Sequence, residues 1–222
     1  MNNAKKLKGL STEETFSYIY ETAYWKAGEN KSFSGKGSDL KHTQNTRSLL
    51  PEICQKYGIK RILDCACGDF NWMKEIVSTF EYYKGVDIVK DLIEDNHKKY
   101  FQKDLIEFEH GNAIEKIVND KNFDAVILRD VLVHLPAEDI QKIITNLRNS
   151  GIQYVFATNF KTIDRNTNLK IAGQWRPVNL LLEPFNFDKP LEEIEEISEA
   201  YRIYRNGKYI KLQDKTLSLW KI

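Results

Sequence analysis

Short apolar runs alternate with amphipathic stretches through the middle of the chain. Each run has the length and the β-branched or aromatic content of a buried strand, and the stretches between them have the apolar spacing of helices. Strands that alternate with helices form βαβ units, so the pattern predicts an α/β fold with a parallel sheet covered on both faces. The runs begin at Arg61, Tyr83, Phe108, Phe123 and Tyr154, and the helices are expected at roughly 71–80, 90–101 and 136–149.

The first fifty residues are polar and rich in aromatic side chains. A helix is predicted to begin at Ser11 or Thr12, which would cap it, because acidic residues follow in the first turn. A second helix is expected from about Thr43 to Tyr57, where apolar side chains recur at helical spacing. The sequence Ser-Gly-Lys-Gly-Ser at 34–38 predicts a loop between the two helices.

The C-terminal part of the chain has a different pattern. Polarity alternates at 208–213 and 216–222, which predicts antiparallel strands added to the parallel sheet. Asn206-Gly207 has the composition of a tight turn before the first of these strands. The acid-rich stretch at 192–197 is interpreted as the solvated face of one element.

Composition narrows the class of protein. The chain has 222 residues, of which 29% are charged and 41% hydrophobic, and its formal net charge is +1. This length predicts one large domain, and the lack of a basic excess argues against a nucleic-acid partner. No run approaches the roughly 18 apolar residues of a membrane span, and no apolar signal segment follows the basic start. Three clustered cysteines predict neither a disulfide framework nor a metal site, so a cytoplasmic protein is expected.

Two acidic residues follow predicted strands, where ligand sites form in doubly wound sheets. Asp64 ends the first strand and opens a loop of small residues. Asp87 follows the second strand about 20 residues later, the position from which a carboxylate holds the hydroxyls of a ribose. The Gly-x-Gly-x-x-Gly turn that holds a pyrophosphate is absent. The sequence therefore predicts a nucleoside ligand without phosphates and disfavours NAD.

With these residues the sequence resembles the class I S-adenosylmethionine-dependent methyltransferases. Ala66 and Phe70 stand where that family most often has glycine. The resemblance implies a doubly wound, mostly parallel, seven-stranded Rossmann-like sheet with an antiparallel C-terminal strand and an N-terminal helical lid. It also implies S-adenosyl-L-methionine as cofactor, S-adenosyl-L-homocysteine as product, and no metal. The matching motifs are Asp64-x-Ala66-x-Gly68-x-Phe70, Asp87-Ile88, Gly111-Asn112-Ala113 and the stretch from Phe123 to Pro136.

On this basis we expect a single methyltransferase domain over residues 1–222. Its parts would be an N-terminal helical cap or lid at 1–58, a cofactor-binding core at 59–160, and a substrate-side insertion with C-terminal strands at 161–222.

The resemblance also implies cofactor contacts. Asp87 would hold the ribose, Asn112 or the backbone at Ala113 the adenine edge, and Arg47 the carboxylate of the methionine part. Five assignments have alternatives. They are Asn112 as a turn former, Arg47 as a surface cation, Asp69 as a loop cap, Asp64 as a turn cap, and Asp87 as a solvated acid at a strand end. The expected cofactor residues are Arg47, Asp64, Cys65, Ala66, Gly68, Asp69, Asp87, Ile88, Asn112, Ala113 and Arg129.

His134 is the candidate catalytic base, with Asp130 as its partner. The two are four residues apart, so one helical turn over 130–134 would place both on one face. Such a pair could deprotonate a hydroxyl as the methyl group is transferred, because histidine titrates near neutral pH. Alternatively, His134 caps the helix that follows it, or binds an acceptor that is already anionic.

Four further residues are expected to bind the substrate: Trp25, Ser38, Arg176 and Asn179. Arg176 and Asn179 have the chemistry to hold a polar or anionic group. Their alternative role is to hold the long insertion at 160–190 through an ion pair, and that of Trp25 is lid packing.

The flanking segments resemble a narrower group of the family, often associated with surface-polysaccharide genes. The resemblance implies methyl transfer to an oxygen of a small polar acceptor, a sugar or other precursor or decoration of a capsular polysaccharide, including a phosphate- or phosphoramidate-type group. The alternatives are an RNA or protein methyltransferase, or a non-catalytic nucleoside-binding domain on the same fold. Expected partners are a small-molecule or glycan-precursor substrate, with no nucleic acid or membrane, in a monomer or homodimer. The matching segments are Tyr24-Trp25, 34–38, Thr43, Arg47, 173–180, Pro184-Phe185 and 214–220.

Overall fold

The computed structural model describes residues 6–26, 32–196, 201–205 and 208–222, and side chains are described outside 201–212. Within these ranges no helix is both long enough and apolar enough to cross a membrane. The helices are α1 Thr12–Glu21, α2 Gln44–Tyr57, α3 Lys90–Tyr100 and α4 Ala137–Asn149. The strands are β1 Arg61–Cys65, β2 Tyr82–Asp87, β3 Ile106–His110, β4 Ala125–Leu128, β5 Tyr154–Phe160, β6 Glu192–Glu195, β7 Tyr201–Arg205, β8 Lys208–Leu212 and β9 Lys215–Lys221.

Seven of these strands form one sheet in the order β3-β2-β1-β4-β5-β9-β6. The pairs among β1 to β5 are parallel, whereas β9 is antiparallel to both β5 and β6. The predicted fold class is therefore confirmed: a mostly parallel, seven-stranded Rossmann-like sheet with an antiparallel C-terminal strand. Strands β7 and β8 pair with each other in a separate two-stranded sheet.

The central strands are apolar along their whole length because both faces of the sheet are buried in hydrophobic cores. Alternate residues of β4 enter different cores: Val126 packs in the cluster that contains the apolar side of α4, and Ile127 in the cluster that contains Leu50 of α2. The residues of β4 are almost fully buried on both sides. A parallel strand between two helical layers must be apolar at every position, which is the pattern seen in the sequence.

The predicted helix at 71–80 was wrong. Two short 3₁₀ turns replace it, Met73–Glu75 and Val77–Thr79. Serine, threonine and β-branched residues have weak helix propensity, and the hydroxyl of Thr79 donates to the carbonyl of Ile76 at 2.7 Å, which competes with helix continuation. The other predicted helices are present, with shifted ends.

Two smaller expectations turned out differently. Pro136 is the N-cap of α4 rather than its first helical residue. The acid-rich stretch is not wholly solvated, because Glu196 is buried and ion-paired. The turn expected at Asn206-Gly207 lies outside the described residues. The division into 1–58, 59–160 and 161–222 stays a prediction.

The loop after β1 keeps a left-handed backbone at every second residue. The φ angles are 62° at Ala66, 58° at Gly68 and 57° at Phe70. Glycine adopts this conformation without cost, whereas other residues need compensation. At Phe70 burial of the ring supplies this compensation, because the ring centroid lies 5.1 Å from those of both Tyr83 and Phe108. Phenylalanine therefore replaces the usual glycine here because its side chain fills the core below the loop.

The segment at 161–190 contains no helix or strand and is held by buried side chains instead. The guanidinium of Arg176 donates to the carbonyls of Thr167, Leu132 and Leu135 at 2.7–2.8 Å. Burial lowers the pKa of Arg176 to about 10, which still leaves it charged at neutral pH. Its three charge-assisted hydrogen bonds therefore join this segment to the turn before α4.

We expect Arg176→Met to destabilise the protein by about 3 kcal/mol, because three buried carbonyl groups lose a charged donor. Arg165→Met is the matched control, since Arg165 is an exposed residue of the same segment, and it should change stability by less than about 0.5 kcal/mol. Urea unfolding of both variants measures the difference. Equal stability of the two would show that Arg176 does not hold this segment.

Candidate functional site

A cavity opens at the carboxyl edge of the sheet, between the ends of β1, β2 and β4. The strand order reverses between β1 and β4, and ligands of doubly wound folds bind at such a switch point. Helix α1 covers the cavity, with Phe16 and Tyr20 in its lining. Eight of the eleven predicted cofactor residues line it: Asp64, Ala66, Gly68, Asp87, Ile88, Asn112, Ala113 and Arg129.

Asp87 closes the bottom of the cavity at the end of β2. Its two carboxylate oxygens each accept one backbone hydrogen bond at 3.0 Å, from the N–H groups of Gly68 and Val89. Burial raises the pKa of Asp87, and these N–H groups oppose that rise. Each oxygen retains further acceptor capacity, so the fixed carboxylate can take hydrogen bonds from two neighbouring hydroxyls.

Asp64 lies beside it at the end of β1 and is 3% exposed. The hydroxyl of Tyr83 donates to its Oδ2 at 2.9 Å. Burial raises the pKa of Asp64 to about 7, against the effects of Tyr83 and Arg129. Asp64 is therefore a titrating group at neutral pH, and it is fixed by a buried partner.

Part of the cavity lining is apolar. Ile88, Ala113 and Leu135 line it, which suits the faces of a flat heterocycle. Asn112 also lines the cavity, but its Oδ1 accepts from the backbone N–H of Ile114 at 3.0 Å. Its side chain thus makes the contact of the turn-forming alternative.

Three predicted cofactor residues do not line this cavity. Cys65 packs in the core. Asp69 accepts from the N–H of Phe33 at 2.8 Å and so makes the loop-capping contact that was its alternative role. Arg47 donates to the carbonyl of Leu40 at 2.8 Å. The side chains of Asp69 and Arg47 are therefore engaged by backbone groups, and that of Cys65 by core packing, outside the cavity lining.

Three buried charged side chains and the partly exposed Asp130 form an ion network at the end of β4. Arg129 Nε lies 2.6 Å from Glu196 Oε1, and Lys215 Nζ lies 2.8 Å from Glu196 Oε2. Lys215 Nζ is also 2.6 Å from Asp130 Oδ2, which lies 3.4 Å from Arg129 Nη1. Burial alone would raise the pKa of Asp130, but the charges of Lys215 and Arg129 hold it well below its usual range. Asp130 is therefore ionised throughout the physiological pH range and is a poor proton acceptor.

His134 lines the cavity, but its partner differs from the predicted one. Nδ1 lies 2.9 Å from the carbonyl oxygen of Gln174, so Nδ1 carries the proton and Nε2 has the free lone pair. The imidazole packs on Trp25 with ring centroids 4.6 Å apart. Burial lowers the pKa of His134, which keeps the ring neutral at pH 7.

The expected helical turn over 130–134 is absent, because Asp130 has a left-handed backbone (φ 57°) and a 3₁₀ turn begins at Leu132. Asp130 consequently pairs with Lys215, and Gln174 orients the imidazole. The alternative role of His134 as a helix cap is filled by Asn168, whose Oδ1 accepts from the N–H of Ala137 at 2.8 Å.

The predicted substrate residues divide into two pairs. Trp25 and Ser38 line the cavity. Arg176 and Asn179 do not, because backbone groups occupy them. Arg176 binds the carbonyls of Leu132 and Leu135, and Asn179 Oδ1 accepts from the N–H of Leu181 at 3.1 Å. Their alternative role in holding this segment is the one that their contacts match, with carbonyl groups in place of an ion pair.

Sequence reasoning missed several residues of the site. Phe16 and Tyr20 of α1 and Trp72 line the cavity, and Lys215 and Glu196 complete the ion network. The apolar face of α1 could have predicted that Phe16 and Tyr20 cover a cavity. Lys215 lies in the C-terminal segment 214–220, which resembles the narrower group of the family. Among the described residues, no group of three or more His, Cys, Asp or Glu side chains could hold a metal ion.

Comparison with known proteins agrees with this geometry. Residues 62–150 match the model of a methyltransferase domain family. The fold is similar to that of magnesium protoporphyrin IX methyltransferase (ChlM) from Synechocystis PCC 6803 with bound SAM, with a TM-score of 0.56 and 13% identity over 96% of this chain and 98% of that one. The same enzyme with bound SAH gives a TM-score of 0.54 over 94% and 95% of the two chains.

The methyltransferase domain of bacterial CtHen1 matches over 53% of this chain and 66% of that one, with a TM-score of 0.46 and 18% identity. No curated protein matches the chain. Residues 62–150 thus match a methyltransferase domain model, and the described residues have the Rossmann-like fold of methyltransferases.

Proposed function

We propose that this protein transfers the methyl group of S-adenosyl-L-methionine to an oxygen of a small polar acceptor. The observation that carries the proposal is the cavity at the switch point, whose lining includes a fixed carboxylate at Asp87 and the imidazole of His134, in which Nε2 is unprotonated. Asp87 suits binding of an adenosyl group, and His134 suits removal of a proton from the acceptor.

Residues that line the cavity suit each part of the cofactor in turn. Asp87 offers acceptors for the two ribose hydroxyls, and the apolar wall at Ile88 and Ala113 suits the adenine. Asp64 and the loop at Gly68 would hold the methionine part. When bound, the cofactor supplies a methyl group that is already activated by its sulfonium charge. The protein's task is then to align the acceptor and to exclude water.

His134 is assigned the proton transfer. Its Nδ1–H is held by the carbonyl of Gln174, and this hydrogen bond directs the basic Nε2 lone pair to the remaining side of the ring. A neutral imidazole can take the proton of an acceptor hydroxyl as the new C–O bond forms. Packing against Trp25 limits rotation of the ring.

The acceptor class rests on the resemblance of the flanking segments. We infer a sugar or another precursor or decoration of a surface polysaccharide, with a phosphate- or phosphoramidate-type group included. A cytoplasmic location, a monomer or homodimer, and the absence of nucleic-acid and membrane partners stay predictions.

Calorimetric titration tests the cofactor site. We expect micromolar binding of S-adenosylmethionine and S-adenosylhomocysteine and no binding of NAD. Asp87→Ala should weaken the binding of both adenosyl compounds at least about tenfold, because two ribose hydrogen bonds to a charged group are lost. Asp91→Ala is the control, since Asp91 is an exposed residue of α3. Wild-type protein that binds neither compound would contradict the proposed function and favour a non-catalytic domain.

The role of His134 is tested by methyl transfer from labelled cofactor to a panel of sugar nucleotides and sugar phosphates. For an acceptor found this way, kcat/KM should rise with pH through a pKa below 6.5 and then stay constant, because burial lowers the pKa of the base. His134→Ala should lower kcat by about 10²-fold or more and remove that pH dependence. A variant that retains the wild-type rate and profile would show that alignment alone suffices.

A further inference from the structure

We propose that the carboxylate of Asp130 is the counter-ion of the sulfonium group, so that the site binds the methylated, cationic cofactor in preference to its neutral thioether product. This inference rests on the proposed function and gives Asp130 a role in cofactor discrimination. It replaces the earlier assignment of Asp130 as the partner of the catalytic histidine.

Exposure separates Asp130 from the rest of the ion network. The side chains of Arg129 and Lys215 are each 3% exposed and that of Glu196 is 1% exposed, whereas that of Asp130 is 23% exposed. Asp130 also lines the cavity. Among the described residues the network pairs two cations with two carboxylates, and its most exposed member is the carboxylate of Asp130.

The two cations of the network keep this carboxylate ionised. Lys215 and Arg129 both lie against Oδ2, while Oδ1 has only a long contact of 3.4 Å with the hydroxyl of Thr158. Arg129 is further engaged by Glu196 and by the carbonyl of Gly37. Because both cations are shared with Glu196, Asp130 retains an attraction for a third positive charge.

The position of Asp130 is fixed before any ligand binds. Its N–H donates to the hydroxyl of Thr158 at 2.8 Å, and its backbone is left-handed. A β-carbon on Gly37 would lie 2.7 Å from Oδ2, so only glycine leaves room for the carboxylate there. A carboxylate held in this way needs no rearrangement to meet a charge, which makes its electrostatic effect larger.

The sulfonium is the cation that fits this description. It carries a positive charge but no hydrogen-bond donor, so a fixed opposite charge or an aromatic face must stabilise it. Asp130 is the second residue after the end of β4, and β4 neighbours β1, which leads into the loop assigned to the methionine part. The two cofactor forms differ by one charge at the sulfur, and only the cationic form is attracted by a carboxylate there.

The test is the ratio of the dissociation constants of S-adenosylmethionine and S-adenosylhomocysteine, measured by calorimetry at pH 8. Asp130→Asn is the informative variant because asparagine tolerates a left-handed backbone. We expect it to weaken S-adenosylmethionine about tenfold and S-adenosylhomocysteine less than about twofold. Asp120→Asn is the matched control: Asp120 also pairs with a buried lysine, Lys84 at 2.9 Å, but does not line the cavity. Its ratio should equal that of the wild type.

Lys215→Met supplies a second, opposite result. Loss of the cation behind Asp130 leaves its charge less compensated, so the preference for S-adenosylmethionine should increase about threefold or more at pH 8. A purely structural role of the network predicts that both variants weaken both ligands equally. If the ratio stays constant in both variants, the inference is overturned and the proposed function stands. If wild-type protein binds neither compound, the proposed function fails and the inference fails with it.

Discussion

The contact between Arg129 and Glu196 is the interaction on which the candidate site depends. It joins the end of β4 to the end of β6, and Lys215 at the start of β9 completes the connection. Thr46 of α2 donates to the same Glu196 oxygen at 2.7 Å, and Arg129 donates to the carbonyl of Gly37. One buried cluster therefore connects three strands, a helix and the loop that lies over the cavity.

Such a cluster is not explained by stability alone. Desolvation of four charges offsets much of their mutual attraction, and well-packed apolar residues in their place are often as stabilising. Removal of one member is costly, however, because it leaves a buried charge without its partner. The network therefore favours one arrangement of the surrounding segments and places Asp130 at a fixed point of the cavity wall.

The sequence was a good guide to the βαβ core and a poor guide to the long-range polar contacts. Strands such as β4 are recognisable because burial on both faces forces every residue to be apolar, which is a local signal. Lys215 and Glu196 lie far along the chain from Arg129, and no local pattern marks their pairing. Arg176 was assigned to the substrate by its chemistry, but a guanidinium meets buried carbonyl groups as well as it meets anions. Residue type alone does not separate these two uses.

The loop after β1 shows how a motif can change its residues and keep its geometry. Ala66 and Phe70 adopt the left-handed backbone that glycine would adopt freely, at a cost of order 1–3 kcal/mol per residue. At Phe70 this strain is offset by burial of the aromatic ring against Tyr83, and the hydroxyl of Tyr83 in turn holds Asp64 at the cavity. The departure from glycine therefore couples the core to the cofactor side of the site. A substitution that looks like loss of a binding loop in the sequence is, in the folded protein, a contact that fixes the acid at its start.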